Sequence, residues 1–278
     1  MKYLVLGSAG QVCEPLCKYL KEQGHQVMEL DIVNDSFRQD LRHIDSITKT
    51  IYFKWAEFVI FAAWDVGGSK YLAKYEKTTD FLNNNIDIMR NVFNVLEEYK
   101  LPFIFTSSQM SNMSHSPYGT LKRLGEFYTN ILGGLNVKFW NVFGYEGNDP
   151  NKHHVITDFI NMSKKGLIKS MTTGSEERQF LHTDDSSKAL YILSQKYNEL
   201  DKNEEYAITS FQWHTIKEVA ECIADLIPGT KLEFSKAIDN VQAGYRNTPS
   251  EHVLKYWQPE VSLKNGIKKV IKEIMEKE

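Results

Sequence analysis

The sequence has little cysteine. Cys13, Cys17 and Cys222 in 278 residues cannot build a disulfide framework, and a reduced, cytoplasmic setting fits them best. It also lacks a long apolar run: the best stretch, Phe58-Val-Ile-Phe-Ala-Ala-Trp64, falls well short of the roughly 20 residues that span a bilayer, so no membrane partner is expected. The opening Met1–Gly7 is too short for the apolar core of a signal peptide. There is no basic surplus: 33 Lys and Arg against 36 Asp and Glu leave a net charge of −3, which gives no reason to expect a nucleic-acid partner. Internal repeats and low-complexity tracts are absent. What is present is an ordinary globular composition, 42% hydrophobic and 25% charged, which excludes disorder, collagen and coiled coil as the main structure. The length suits one large domain, or one domain with a small appended lobe.

The first half alternates short apolar runs with longer helical patterns. Strands are expected at Lys2–Gly7, Gln26–Asp31, Phe58–Trp64, Phe103–Ser108 and Val137–Gly144. Helices are expected near Gln11–Gln23, Leu41–Phe53, Asn85–Tyr99 and Tyr118–Leu132. The strands are almost continuously apolar, the mark of burial on both faces and hence of a parallel sheet between helices. Repeated βα units predict an α/β, doubly wound parallel sheet of Rossmann type. After about residue 145 the rhythm changes. A polar loop, Tyr145–His154, leads into helical patterns at Val155–Lys165, Asp185–Tyr197, Thr215–Leu226 and Ser262–Lys277, with short strands at Ser170–Thr173, Tyr206–Ser210 and Lys231–Phe234. The expected division is residues 1–150 as a dinucleotide-binding domain and 151–278 mostly as a smaller mixed substrate lobe, with some segments returning to the first domain.

The first strand runs into Gly7-Ser-Ala-Gly10-Gln-Val-Cys13 and then a helix. Glycines there let the backbone turn sharply and approach a pyrophosphate, while the helix start offers free N–H groups and a partial positive charge. Asp31 closes the second strand 24 residues after Gly7. A carboxylate at that place accepts both ribose hydroxyls of an adenosine and repels a 2′-phosphate, which favours NAD over NADP. Cys13 stands where a third glycine is usual, a position for close helix–strand packing. With Cys17 one helical turn away and no further ligand at suitable spacing, the pair reads as packing cysteines, and no metal site is expected.

Phe103-Ile-Phe-Thr106-Ser107-Ser108 ends in hydroxyls at the sheet edge where open α/β folds bind ligands. Ten residues beyond Ser108 comes Tyr118-Gly-Thr-Leu-Lys122, preceded by Ser116 and a helix-starting Pro117. Four residues apart, Tyr118 and Lys122 share a helical face. A phenol loses its proton near pH ~10 and is a poor base at neutrality. A neighbouring ammonium and a positive nicotinamide favour the phenolate, which then removes a sugar hydroxyl proton as the carbon-bound hydride leaves. Ser108 would orient the same oxygen.

Taken in this order, the motifs resemble the extended short-chain dehydrogenase/reductase family, in its nucleotide-sugar epimerase/dehydratase branch, over almost the whole chain. The resemblance implies NAD as cofactor, held by Gly7, Ala9, Gly10, Gln11, Val12, Asp31, Tyr118 and Lys122. It adds Asp40 and Leu41 at the adenine, Ala62, Ala63 and Trp64 along the cofactor, and Asn85, with Asn91, on the following helix. It implies Ser108, Tyr118 and Lys122 as catalytic residues, and a nucleotide-diphospho-sugar substrate bound by Ser108, Gln109, Asn141 of Asn141-Val-Phe-Gly144, Arg178 of Arg178–Asp185, and Arg246 at the diphosphate. Trp257–Ile267 resembles the C-terminal signature. It further implies a homodimer through the helices at Asn85–Tyr99 and Tyr118–Leu132, with Val92, Phe93, Leu96, Phe127 and Ile131 available for that contact.

Departures from the family pattern bear on the substrate. The Ser108–Tyr118 gap is short, and Lys138 replaces a common Arg. Gln109-Met110 replaces the Asp-Glu pair of the 4,6-dehydratases, and two neutral side chains cannot perform that acid–base work. What the resemblance leaves is oxidation of a sugar hydroxyl, at C4, by an epimerase with catalytic NAD, or by a dehydrogenase or ketoreductase such as those serving capsule heptoses in polysaccharide biosynthesis. A dinucleotide-binding sensor without turnover is the other class; it would be expected to lack Tyr118 or Lys122. Trp64, Asp65, Gly67 and Gly68 are additional candidates for cofactor or sugar contact. His115, His153 and His154 read as solvated loop residues, Met110 and Met113 as packing.

Overall fold

The computed structural model describes residues 1–34, 39–43, 46–147, 149–238 and 247–277. Six strands form one parallel sheet: β1 (Lys2–Leu6), β2 (Gln26–Leu30), β3 (Phe58–Phe61), β4 (Phe103–Ser108), β5 (Leu135–Phe139) and β9 (Tyr206–Ile208), in the order β2-β1-β3-β4-β5-β9. The period of two along each strand divides its residues between two cores. Tyr3, Val5, Phe58, Ile60 and Ile104 face one side, with α1 (Cys13–Glu22) and α7 (Thr183–Gln195). Leu4, Leu6, Val59, Phe61, Phe103 and Phe105 face the other, with α2 (Ser46–Trp55), α4 (Thr79–Tyr99) and α5 (Pro117–Ile131). Both faces are covered, which is why these strands are apolar throughout. Strand order reverses between β1 and β3, and such a switch point leaves a crevice at the C-terminal ends of the strands.

The remaining elements build a third core beyond that edge. They are β6 (Asn141–Phe143), α6 (Val155–Ser163), β7 (Leu167–Ser170), β8 (Glu177–His182), β10 (Trp213–Thr215), α8 (Ile216–Leu226), β11 (Lys231–Phe234) and α9 (Leu263–Glu276). Strands β10, β8 and β6 form one small sheet and β11 with β7 another, around Phe143, Phe159, Phe180, Val219 and Ile267. The helix α3 (Ser69–Tyr75) lies between β3 and α4.

Several boundaries differ from the sequence expectation for local reasons. β3 ends at Phe61, because Ala62 and Ala63 leave the sheet to cross the Gly7 turn. α4 starts at Thr79, since the Thr78 side chain accepts from Phe81 N and caps the helix six residues before Asn85. The run expected as one strand over Val137–Gly144 breaks at Trp140, where the chain passes from the large sheet to a small one. The strand expected at Ser170–Thr173 lies earlier, at Leu167–Ser170. The short α3 and β8 were not anticipated; seven and six residues carry too little periodicity.

Candidate active site

The Gly7 end of the crevice is made of main chain. Gly7 N and Ser8 N bond Leu30 O at 2.8 and 3.2 Å, tying the turn to the end of β2. Gly7 has φ +83°, and a Cβ there would stand 2.7 Å from Ala63 Cα and N, so two backbones meet where only glycine fits. Cys13 N and Glu14 N bond Gly10 O, which starts α1. No side chain caps that start; Gly10 O takes its first two N–H groups and Pro15 has none. Gln11 lines the crevice, and its Nε2 is buried without a partner among the described residues. Asp31 accepts from Ala9 N at 3.0 Å and Val33 N at 3.1 Å, so its carboxylate closes the turn that the resemblance assigns to the cofactor. These features suit a dinucleotide: a close backbone cradle and an orphaned amide. Cys13 and Cys17 are buried, and burial pushes both thiols up, as inert packing cysteines require.

Further along, Asp40 is clamped by Arg42 at 2.7 Å. Burial works against the Asp40 charge, but Arg42 outweighs it and holds the carboxyl below its ordinary value. Asn91 fixes the same loop by donating to Leu41 O and Arg42 O. Asn85 is fully buried, bonding Asp65 N, Asp65 O and Phe81 O. It braces the loop after β3 from below, and its neighbour Asn84 lines the crevice. Asp65 is the hub there, accepting from Tyr71 OH at 2.5 Å and Asn84 Nδ2 at 2.9 Å. Gly68 meets the 152–154 segment, where a Cβ would lie 2.3 Å from His153 O.

At the reacting end the site is side chain. Ser108 ends β4 and its Oγ accepts from Met110 N at 3.2 Å, opening a short 3-10 turn over Gln109–Asn112. Ser116 caps α5 by accepting from Gly119 N, with Pro117 in the first turn. Tyr118 and Lys122 then project from the first turns of α5 beside Ser108. Gly119 allows this approach, since a Cβ would stand 2.1 Å from Met110 O. Lys122 is buried. Its Nζ donates to Thr106 O at 2.7 Å and lies 3.9 Å from the centre of the Trp64 ring, 5.0 Å from Phe105 and 5.9 Å from Tyr118.

This geometry corrects the expected electrostatics. The ammonium faces Thr106 and Trp64 more closely than the phenol, and desolvation dominates both groups. Burial pushes the Tyr118 phenol up to about 12, against a hydrogen bond with Ser108. It draws Lys122 down to about 7, against the nearby Glu126 carboxylate. Lys122 alone therefore does not acidify Tyr118.

Beneath the triad lies a charged network that the sequence reading missed. Ser107 Oγ donates to Glu126 Oε1 at 2.6 Å, and Lys138 bonds Glu205 at 2.8 Å and Asn112 at 3.3 Å. The parallel register pairs Ser107 with Lys138 and Ser108 with Phe139, which brings the network under the turn. Its sequence signal was the polar residues Ser107 and Lys138 inside two largely buried strands, at paired positions.

Gln109, Asn141 and Arg178 line the same cleft as Gly7, Asp31, Asp40, Trp64, Tyr118 and Lys122; its volume is about 1330 Å³. Asn141 Oδ1 is buried without a partner among the described residues. Arg178 lies on β8 and donates to Glu177 O. Arg246 lies outside the described residues. His115 is exposed and the His154 side chain is partly so, whereas His153 is not the solvated residue expected. His153 is buried on Gly147 O, and His154 pairs with Glu146, which keeps its pKa raised against partial desolvation. Of the apolar residues expected at a dimer contact, Val92, Phe93 and Leu96 are buried in the chain's own core because they cover the sheet; Phe127 and Ile131 are exposed.

Among known proteins, the model for the NAD dependent epimerase/dehydratase family matches residues 3–209. The chain is 26% identical to GDP-L-fucose synthase 1 of Arabidopsis thaliana, covering 96% of this chain and 90% of that protein. It is 23% identical to the UDP-glucuronate 4-epimerase of Thermodesulfobacterium geofontis, covering 97% and 94%. An epimerase of Methanothermobacter thermautotrophicus superposes with a TM-score of 0.85 at 22% identity, over 99% of this chain and 92% of that one.

Proposed function

The chain belongs to the NAD dependent epimerase/dehydratase family, and from that premise we propose that it oxidises and reduces a sugar hydroxyl, at C4, in a nucleotide-diphospho-sugar. The observation that carries the proposal is the gathering of Ser108, Tyr118 and Lys122 at one strand end, in the same cleft as the Gly7 turn and Asp31. The whole-length likeness to a fucose synthase and a uronate epimerase supports a sugar-nucleotide substrate.

Residues 1–150 supply most of the cofactor cradle and 151–278 most of the substrate side. Bound NAD supplies the hydride acceptor and donor, and a positive charge near the phenol. Gly7, Gly10, Gln11 and the start of α1 would hold its diphosphate, Asp31 its adenosine ribose. Ser108 orients the substrate hydroxyl. With the cofactor's positive charge favouring the phenolate, Tyr118 would take the hydroxyl proton as the C–H bond breaks and return it on reduction. Lys122, fixed by Thr106 O and the Trp64 face, would favour the phenolate when protonated. Gln109 and Met110 offer no acid–base pair for eliminating water.

Incubation with UDP-, GDP-, dTDP- and CDP-sugars, with products read by NMR and reduced cofactor by absorbance, tests this. A stereoisomer without net reduced cofactor identifies an epimerase; a keto sugar with stoichiometric reduced cofactor identifies a dehydrogenase. Silence across the panel, with intact NAD binding, overturns the proposal in favour of a sensor. Free cysteines suit the cytoplasm, and a role in supplying polysaccharide precursors follows from the substrate. Exposed Ile86, Leu124, Phe127, Tyr128 and Ile131 on α4 and α5 support a homodimer, which light scattering checks.

A further inference from the structure

Gln109 directly follows Ser108, and its amide is held from far along the chain. Asn247 Nδ2 lies 2.7 Å from the Gln109 main-chain oxygen and 2.9 Å from Gln109 Oε1. A main-chain carbonyl oxygen only accepts, so Asn247 must turn its NH2 end toward Gln109. The same nitrogen then requires Oε1, not Nε2, on the facing side of the Gln109 amide. Nε2, with its two donor hydrogens, is the end that Asn247 leaves.

The turn carrying Gln109 is fixed on its other sides. Ser108 Oγ takes Met110 N, Lys138 Nζ donates to Asn112 Oδ1, and Gly119 packs against Met110 O. Gln109 is buried yet lines the cleft. With the backbone settled, the sense of the amide is the remaining freedom, and Asn247 removes it. A donor held in advance needs no reorganisation when a substrate oxygen arrives.

We propose that Asn247 is a positioning residue for substrate recognition: it locks the Gln109 amide so that Nε2, beside Ser108, is offered as a donor to an acceptor oxygen of the sugar next to the reacting carbon. The inference rests on the nucleotide-sugar reading above. It makes the segment after residue 246 part of the specificity apparatus, acting through Gln109 and not by its own contact.

A double-mutant cycle tests it, using the full-length protein loaded with NAD and the sugar nucleotide that the panel finds active. Asn247→Ala lowers kcat/KM about tenfold, the loss of one oriented hydrogen bond, with the NAD dissociation constant and melting temperature unchanged. Asn247→Asp, whose carboxylate repels both Gln109 oxygens and draws Nε2 toward itself, lowers it further. In a Gln109→Ala background, Asn247→Ala costs less than about twofold, because a residue acting only through Gln109 has nothing left to position. Additive losses, or kcat/KM unchanged in both Asn247 variants, overturn the proposal. A second readout needs no substrate: the Gln109 side-chain 15N signals, identified by their disappearance in Gln109→Glu, shift in Asn247→Ala. If they stay in place the lock is refuted. If they shift while the unaltered protein converts no sugar nucleotide, the functional reading fails and takes the recognition role with it.

Discussion

The two ends of the cleft are built from different material. At the Gly7 turn the site is backbone: a positive φ and a second chain segment at contact distance. At the Ser108 edge it is side chain: a phenol pushed up to about 12 and an ammonium drawn down to about 7 in one desolvated pocket. The first end is sensitive to volume. The second is sensitive to single atoms, and burial there works against charge on both groups. Substitutions at the two ends should therefore fail in different ways.

The largest effect is expected from Tyr118→Phe, which deletes one oxygen and no packing. Turnover falls by about 10³-fold or more, as for loss of an essential acid–base group, while NAD binding stays within about twofold. Steady-state rates and a cofactor titration check both halves. Retention of more than about a tenth of the activity would remove Tyr118 from the chemistry.

Lys122→Met sharpens the contrast through pH. The Lys122 pKa is depressed from 10.5 to about 7 by burial. Below about pH 7 both the folded and the unfolded chain hold the proton, and the folded chain bears the full cost of a buried ammonium. Between about 7 and 10.5 the unfolded chain holds a proton that the folded chain has released, so stability from this group rises with pH. The variant lacks this dependence. Its stability relative to the unaltered protein improves by on the order of 2 kcal/mol from about pH 9.5 to about pH 6, while turnover drops about 100-fold. Urea unfolding of both proteins at the two pH values measures it. A gap that does not move with pH would mean that Thr106 O and the Trp64 face fully replace the lost water.

That difference also governs what the sequence revealed. The parallel sheet was legible because Tyr3, Val5, Leu4 and Leu6 are apolar on both faces of one strand, and the Gly7 turn because only glycine serves there. Ser108, Tyr118 and Lys122 were legible as a spacing. Their electrostatics were not, because Trp64 and Phe105, which pack on Lys122, arrive from the segment after β3 and from β4. Asn247 had no signal: its partner is 138 residues away, and its role depends on which end of an amide faces which. His153 looked solvated for the same reason, since Gly147 O, which it bonds, and the Gly68 approach appear only on folding.

At the backbone end, Gly7→Ala adds one methyl group at φ +83° against Ala63. The strained turn costs about 1–3 kcal/mol of stability, and NAD affinity falls about thirtyfold as the turn shifts from the start of α1. Thermal unfolding and calorimetric titration check the pair of effects. Combined with Tyr118→Phe the losses add, because the two sites share no partner. Strong non-additivity would show that the cleft responds as one unit, which breaks the contrast.

The smallest effect tests where the contrast blurs. Asp31 is a side chain at the backbone end: its oxygens brace Ala9 N and Val33 N, and it also lines the cleft. Asp31→Asn keeps one acceptor oxygen and removes the charge. If the charge reads the cofactor, NAD affinity drops about tenfold, as for one charge-assisted hydrogen bond, and NADP loses much of its disadvantage. If the carboxylate is only a brace, both cofactors weaken by the same factor and their ratio stays fixed. Dissociation constants for NAD and NADP on the same two proteins separate these outcomes, because a brace acts on the turn before either cofactor arrives, whereas a charge distinguishes a ribose hydroxyl from a phosphate.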